Sequence, residues 1–299
     1  MDKVAVIGFT NSGKTSYLIG MYSKMREGMK NFSLSAIETE TDFYLREMWK
    51  RIQSGKGREW PAPTSDNCTY NFTLQHSCGK IIDFELIEYK TSLLDDTYYQ
   101  HQIDGSECLL VLVNGESFAF TGNRKSGNLK PVQAKNGEDY KRIVASNLKN
   151  NGDLMTIRRL HQMAQEGIVI PPVAIVITKR DLIPSEYIQY ISEIIQENFS
   201  PIFMEISKPH HLVMLSAVTL GEGIEDGADA YPEDIEHPIA YAMLSILCQR
   251  IKNVKLTMLN AQSNLSAKDT FWNSFSGYVM DAACLLDIFD LEKQCMLTV

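Results

Sequence analysis

Residues 8–15 have the sequence GFTNSGKT and lie between a β-branched run at residues 3–8 and a helical pattern at residues 14–26. They match GxxxxGK[ST] at every fixed position, in the strand–loop–helix context that the pattern requires. In such a loop the backbone N–H groups point at phosphate oxygens, and the dipole of the following helix favours the same anion. The residues expected to bind phosphate are Gly8, Asn11, Ser12, Gly13, Lys14, Thr15 and Ser16.

Four of these positions have a predictable chemistry. Glycine is needed at Gly8 and Gly13, because a side chain there would clash or forbid the backbone dihedrals. Lys14 would bridge the β- and γ-phosphate oxygens of a nucleotide, and Thr15 would offer its hydroxyl to Mg²⁺. A tight glycine turn that begins a helix without any ligand is the alternative interpretation.

Short apolar runs alternate with helical patterns along the rest of the chain. The apolar runs lie at residues 70–74, 81–87, 108–113, 173–177 and 211–216, and the helical patterns at residues 38–53, 139–166, 185–198, 238–259 and about 269–292. This alternation predicts an α/β fold with a mostly parallel sheet covered by helices on both sides. The first two runs predict a hairpin that supplies one antiparallel edge strand. Ligands of such sheets bind beyond the carboxyl ends of the strands.

Composition excludes several classes of protein. Of the 299 residues, 44% are hydrophobic and 22% charged, as in an ordinary soluble globular protein. The net charge of -8 disfavours a nucleic-acid partner, because phosphate neutralisation needs clustered cations. The six cysteines lack zinc-site spacing and favour a reducing compartment, and there is no apolar run of 18 residues that would predict an integral membrane segment. We therefore expect a cytoplasmic protein.

A second motif follows the apolar run at residues 173–177. Residues 178–181, Thr-Lys-Arg-Asp, resemble the [NT]KxD base-recognition motif of the P-loop GTPases. The Asp181 carboxylate would accept two parallel hydrogen bonds from guanine, whose N1–H and exocyclic amine have no counterpart in adenine. Lys179 would lay its stem along the base and contact the phosphate loop. Thr178 stands where Asn is commoner, which predicts weaker tethering of that loop.

A third motif follows the run at residues 211–216. Ser216 and Ala217 resemble the fifth motif of the same superfamily, which implies that the Ala217 backbone N–H meets guanine O6.

On these motifs the chain resembles the P-loop GTPase superfamily over residues 3–253. The resemblance implies a three-layer, Ras-like G domain at residues 1–253, with insertions near residues 27–63 and 114–138, and a C-terminal helical extension at residues 254–299. It also implies GTP or GDP and Mg²⁺ as ligands. The closer resemblance is to divergent bacterial GTPases of the double-GTPase type, which implies a protein effector or co-encoded partner and a place in a bacterial conflict or defence system.

The residues that would respond to the γ-phosphate depart from that family. Thr64 is the candidate for the threonine that binds Mg²⁺, with Thr69 as the runner-up and an exposed hydroxyl in a proline turn as the alternative. Glu88 stands where the resemblance predicts the Asp of DxxG, and it can still hold a Mg²⁺-bound water. Asp83 and Glu85 are the alternatives to Glu88.

Two further departures bear on hydrolysis. Thr91 replaces the glycine of DxxG, and Ser92 replaces the glutamine that orients the attacking water, so the sequence supports nucleotide binding better than turnover. Lys90 is either a substitute group supplied in cis or an exposed lysine.

These residue assignments combine into one functional expectation. The expected function is a GTP-dependent switch with slow or partner-dependent hydrolysis. Its catalytic residues would be Lys14, Thr64 and Glu88, and its metal ligands Thr15, Thr64 and Glu88. A nucleotide-binding pseudo-GTPase scaffold and a P-loop ATPase are the alternatives.

Two other segments carry expectations. Residues 221–236 contain seven acidic residues and no Lys or Arg, which predicts a solvated acidic loop. The apolar positions of the C-terminal extension favour packing on the G domain over binding a partner.

Overall fold

A computed structural model describes residues 1–53, 58–62, 66–90, 103, 105–122, 128–201, 213–260, 276–283, 285 and 296–297. The strands are β1 (Asp2–Gly8), β2 (Phe32–Ala36), β3 (Cys68–His76), β4 (Gly79–Glu88), β5 (Cys108–Asn114), β6 (Phe120–Thr121), β7 (Lys130–Pro131), β8 (Val173–Thr178), β9 (Val213–Ala217) and β10 (Met296–Leu297). The α-helices are α1 (Lys14–Arg26), α2 (Thr39–Gln53), α3 (Glu116–Ala119), α4 (Gly137–Asn150), α5 (Asp153–Gln165), α6 (Ile191–Asn198) and α7 (His237–Asn260). Short 3₁₀ helices lie at Arg180–Leu182, Ser185–Tyr190 and Ile224–Asp226.

The main sheet confirms the predicted fold class. Its strand order is β10-β9-β8-β5-β1-β4-β3-β2. Strands β4, β1, β5, β8 and β9 are parallel, and β3 pairs antiparallel with β4 in the predicted hairpin. Because β1 lies between β4 and β5, the loops that follow these three strands meet at one edge of the sheet.

Both faces of the sheet are covered by helices, as an α/β protein requires. On one face α1, α2 and α7 bury apolar residues such as Leu18, Leu45 and Met243. On the other face α4, α5 and α6 do so with residues such as Val144 and Leu160. The central strand β1 is buried on both sides, which explains why residues 4–7 are all apolar.

The sheet also contains strands that the sequence did not predict. Strand β2 comes from the predicted insertion at residues 27–63 and pairs antiparallel with β3. Buried and less buried side chains alternate along this short strand: Phe32 and Leu34 are buried, and the serines between and after them are not. Strand β10 pairs antiparallel with β9 at the opposite edge.

The helical pattern at residues 139–166 forms two helices rather than one. Gly152 separates α4 from α5 with φ 88°, which is a left-handed conformation that glycine adopts without strain. A Cβ at this position would also lie 2.6 Å from the ring of Phe9, in the phosphate loop. The break therefore brings the start of α5 against that loop.

The acidic segment at residues 221–236 is not a solvated loop throughout. It buries Ile224, Ala230 and Ile235 against the core. On its outer side, Lys24 of α1 donates to the Pro232 carbonyl oxygen over 3.2 Å. Apolar residues spaced among the acidic ones pack this segment on the core. A count of acidic residues alone does not predict this packing.

The C-terminal part of the chain continues from the core. Helix α7 runs through residue 253, where the sequence analysis places the end of the G domain, so that boundary stays a prediction. Residues 276–283 are helical, and Leu285 is fully buried in the core cluster that α7 lines. Among the helices that the structure describes, none has both the length and the apolar character needed to cross a bilayer.

Candidate functional site

The predicted motifs surround one cavity at the carboxyl ends of the parallel strands. The cavity has a volume of about 850 Å³, which lies within the range of small-molecule sites. Its lining includes the phosphate loop, Glu88 and the Thr178–Asp181 motif. After these motifs, the part lined by Lys14, Thr15 and Glu88 is termed the phosphate end, and the part lined by Lys179, Asp181 and Thr219 the base end. Segments more than 160 residues apart in the sequence thus contribute to a single site.

The phosphate loop has the shape that its glycines require. A Cβ at Gly8 would lie 2.6 Å from the Leu112 carbonyl oxygen of β5, so a larger residue cannot fit without moving the strand. Asn11 and Gly13 both have positive φ, 66° and 82°. These reversals curl the loop around the start of α1, which is how a row of backbone N–H groups comes to face an anion.

Lys14 is folded against its own loop. Its ammonium donates to the Gly8 carbonyl oxygen over 2.9 Å, and the side chain is buried. Burial lowers the pKa of Lys14, because the charged form loses water, and the nearby Glu88 carboxylate partly opposes this shift. A buried cation beside inward-facing N–H groups suits a phosphate chain.

Thr15 and Glu88 meet at the phosphate end of the cavity. The Thr15 hydroxyl donates to Glu88 Oε1 over 2.6 Å, although 73 residues separate the two. Glu88 is 1% exposed at the end of β4. Mg²⁺ prefers hydroxyl, carboxylate, phosphate and water oxygens as ligands. The oxygens of Thr15 and Glu88 therefore fit the metal that the resemblance implies.

The alternatives to Glu88 lie elsewhere on β4. Asp83 accepts hydrogen bonds from Thr73 and Lys80 at the hairpin end of the strand, 2.7 and 2.6 Å away. Five residues of extended chain separate it from Glu88, or about 16 Å. Glu85 pairs in register with Lys3 and Asn71, also before the cavity begins.

The two threonine candidates differ in what the structure shows of them. Thr64, with its neighbours Pro63 and Ser65, lies outside the described residues, as do Thr91 and Ser92. Thr69 lies exposed within β3, opposite Ile87. Residues 60–62 and Lys90 line the cavity, so the segments expected to respond to the nucleotide do reach it.

The base end of the cavity contains a hydroxyl that the sequence analysis missed. Thr219 donates to Asp181 Oδ1 over 2.7 Å and accepts from the Gly221 N–H over 2.9 Å. Thr219 is almost fully buried, so this bond orients one oxygen of the carboxylate from behind. A hydroxyl residue shortly before a glycine, after an apolar strand, was the available signal.

Ser216 and Ala217 are still within strand β9, and the residues of this region that line the cavity are Val218, Thr219 and Leu220. The Val218 N–H continues the ladder by donating to the Ile177 carbonyl oxygen, so the strand's pairing extends beyond the Ser-Ala dipeptide. The cavity lining in this region therefore begins at Val218, one residue after Ala217.

Thr178 contacts the phosphate loop, whereas Lys179 contacts a different partner from the one expected. The Thr178 hydroxyl donates to the Ser12 carbonyl oxygen over 2.9 Å, so it does tether the phosphate loop. The Lys179 ammonium instead pairs with Glu116, at the start of α3. Phe120 and Leu129 line the same side of the cavity, so the insertion at residues 114–138 forms part of its wall.

A buried carboxylate supports this wall. Asp153 accepts from the Ser117 hydroxyl over 2.7 Å and from the Asn114 N–H over 3.4 Å. Burial raises the pKa of Asp153 to about 6, the two hydrogen bonds oppose this, and the charge of Glu116 adds to it.

The raised pKa of Asp153 predicts a pH-dependent stability. In the unfolded chain this carboxyl titrates near about 4, so the folded state holds its proton more tightly and the free energy of unfolding falls as pH rises from 4 to 6. Asp153→Asn removes this loss. We expect the variant's stability relative to the natural protein to increase by about 1 kcal/mol between pH 5 and pH 7.5, measured by urea unfolding. A difference that does not change with pH would contradict this assignment.

One comparison with known proteins assigns the chain to a family. A family model described as "Double-GTPase 2" matches residues 2–224. No curated protein matches the chain. A similar solved structure is that of a bacterial selenocysteine-specific elongation factor, EF-Sec, with 15% identity and a TM-score of 0.36. The match covers 82% of this chain and 29% of the elongation factor, so the chain spans less than a third of that protein's length.

Proposed function

The chain belongs to the Double-GTPase 2 family of GTP-binding P-loop proteins, and from this premise we propose that it is a guanine-nucleotide-dependent switch with slow or partner-dependent hydrolysis. Membership confirms the resemblance that the sequence motifs gave. Switching, hydrolysis and a role in bacterial conflict or defence go beyond the family match and are part of the proposal.

The observation that carries the proposal is the single cavity that joins the phosphate loop to Asp181. In this proposal a bound nucleotide would have its phosphates at Gly13 and Lys14 and its base at Asp181, all of which line the cavity. The Thr219 hydroxyl occupies one acceptor site of Asp181 Oδ1. The carboxylate keeps further acceptor sites for the base, on Oδ2 and on Oδ1 itself. This arrangement favours guanine, because adenine offers acceptors where the carboxylate needs donors.

Mg²⁺, when bound, would neutralise charge on the phosphate oxygens and hold them for attack by water. Thr15 would contribute its hydroxyl as a ligand, and Glu88 would hold a water of the metal. Lys14 would turn from the Gly8 carbonyl oxygen to the β- and γ-phosphates. Slow turnover is expected because Ser92 stands in place of the glutamine that orients the attacking water.

We expect nucleotide-free protein titrated in Mg²⁺ to bind GDP and a non-hydrolysable GTP analogue at least about a hundredfold more tightly than ADP or ATP. The measurement is isothermal titration calorimetry, followed by release of phosphate from GTP in a single turnover. Preference for adenine nucleotides would overturn the proposal in favour of a P-loop ATPase. Guanine binding with no turnover, alone or with a co-encoded protein, would replace the switch by the pseudo-GTPase scaffold.

A further inference from the structure

Arg58 connects two segments of the site that the motifs leave separate. It lies just before the cavity-lining residues 60–62, in the part of the chain that leads to Thr64, the candidate Mg²⁺ ligand. Its guanidinium donates to the backbone carbonyl oxygens of Ile224 and Ala228, which lie more than 160 residues away. Its Nε donates to the Ile52 carbonyl oxygen at the end of α2, over 2.6 Å. One side chain thus joins α2, the segment at residues 58–62 and the segment at residues 224–228.

The loop that Arg58 holds also carries the group that orients Asp181. Residues 218–228 follow β9 and contain Thr219, whose hydroxyl donates to Asp181 Oδ1. Gly221 fixes that hydroxyl with its backbone N–H, and the chain then turns into Ile224–Asp226. Movement of the loop would therefore change the position of Thr219 and, through it, of the carboxylate that faces the base.

The loop has a second set of anchors on its far side. Arg180 pairs with Glu233 and Asp234, and the Tyr231 N–H donates to the Leu220 carbonyl oxygen over 2.7 Å. These contacts hold residues 230–236 against the core. Residues 224–228 lie between Leu220 and Tyr231 in the sequence, and Arg58 holds them through the Ile224 and Ala228 carbonyl oxygens.

We propose that Arg58 is a positioning residue for guanine recognition: it holds the loop at residues 218–228, and through Thr219 the Asp181 carboxylate, in the arrangement that binds the base. The inference rests on the proposed function, since it concerns the base end of the same cavity. It also gives the segment at residues 58–62 a direct influence on base affinity, in addition to any contact with phosphate.

The chemistry of arginine suits this role. A planar guanidinium presents several N–H donors in a fixed fork, so it can donate to separate carbonyl oxygens at the same time. Lysine has a compact ammonium on a flexible stem and cannot reproduce that geometry. Arg58→Lys therefore keeps the charge while losing the fork, and it separates the two contributions.

The test compares base affinity with phosphate affinity in the full chain. GDP, ADP and inorganic pyrophosphate are titrated into the natural protein, Arg58→Ala, Arg58→Lys and a matched control, Arg51→Ala. Arg51 forms an exposed ion pair with Glu59 at 3.4 Å, in the same part of the chain. Pyrophosphate reports the phosphate loop alone, so a variant that binds it normally is folded around that loop.

We expect Arg58→Ala to weaken GDP binding about tenfold and Arg58→Lys to weaken it by a smaller factor, with pyrophosphate binding unchanged in both. Arg51→Ala should match the natural protein for both ligands. Equal loss of GDP and pyrophosphate, or no loss of GDP, in Arg58→Ala would overturn the inference. If the natural protein itself fails to prefer GDP to ADP, it is the proposed function that fails.

Discussion

Lys14→Ala is expected to weaken the binding of GDP and of the GTP analogue severely. Lys14 lines the phosphate end of the cavity, and backbone N–H groups of the phosphate loop are expected to supply further donors. Removing its ammonium deletes charge-assisted hydrogen bonds to two phosphate groups, each worth about 1.5–3 kcal/mol. Affinity for GDP, measured by calorimetry, should fall about a hundred- to a thousandfold.

The same variant should fold normally. In the structure without a ligand the Lys14 ammonium is buried, and burial lowers its pKa, so the charged form is disfavoured there. Alanine removes this penalty, and the melting temperature without nucleotide should not fall. The matched control is Lys50→Ala, an exposed lysine of α2 that pairs with Glu47 over 2.6 Å. A Lys14→Ala protein that binds GDP as tightly as the control would mean that the loop is a structural turn.

The phosphate loop could be predicted from sequence because its determinants are local. Eight consecutive residues, a preceding apolar strand and a following helix specify its conformation, which includes local hydrogen bonds such as the one from the Ser12 N–H to the Phe9 carbonyl oxygen. The Thr178–Asp181 motif could be predicted for the same reason. The fold class followed from the order of apolar runs and helical patterns, which depends on periodicity and not on distant partners.

The remaining parts of the site depend on contacts across the chain. Glu116 approaches Lys179 from 63 residues away and Thr219 approaches Asp181 from 38, and no local sequence pattern indicates which residue is the partner. Arg58 and the segment at residues 224–228 are farther apart still. Strand β9 is paired with β8 as far as Ala217, and only this pairing shows that the cavity-lining residues begin at Val218.

Asp181→Ala is expected to remove the preference for guanine while leaving phosphate binding intact. The variant deletes both carboxylate oxygens, so the N1–H and amine of a bound guanine would lose their acceptors inside a cavity. Affinity for GDP should fall about a hundredfold or more, while affinities for ADP and pyrophosphate stay close to those of the natural protein. Competition between GDP and ADP, followed by calorimetry, measures the ratio directly.

Two further variants decide how that loss is interpreted. Thr219→Val keeps the carboxylate but removes the hydroxyl that orients it, so GDP affinity should fall by a smaller factor in the same direction. Asp229→Ala removes an exposed carboxylate from the segment after β9 and should change neither ligand. If Asp181→Ala kept its preference for GDP, the base would lie elsewhere in the cavity, and the wall formed by Glu116, Phe120 and Leu129 would be the next place to look. If GDP affinity is instead unchanged in Asp229→Ala, reduced in Thr219→Val and reduced most in Asp181→Ala, then guanine recognition depends on the carboxylate and on the hydroxyl that orients it.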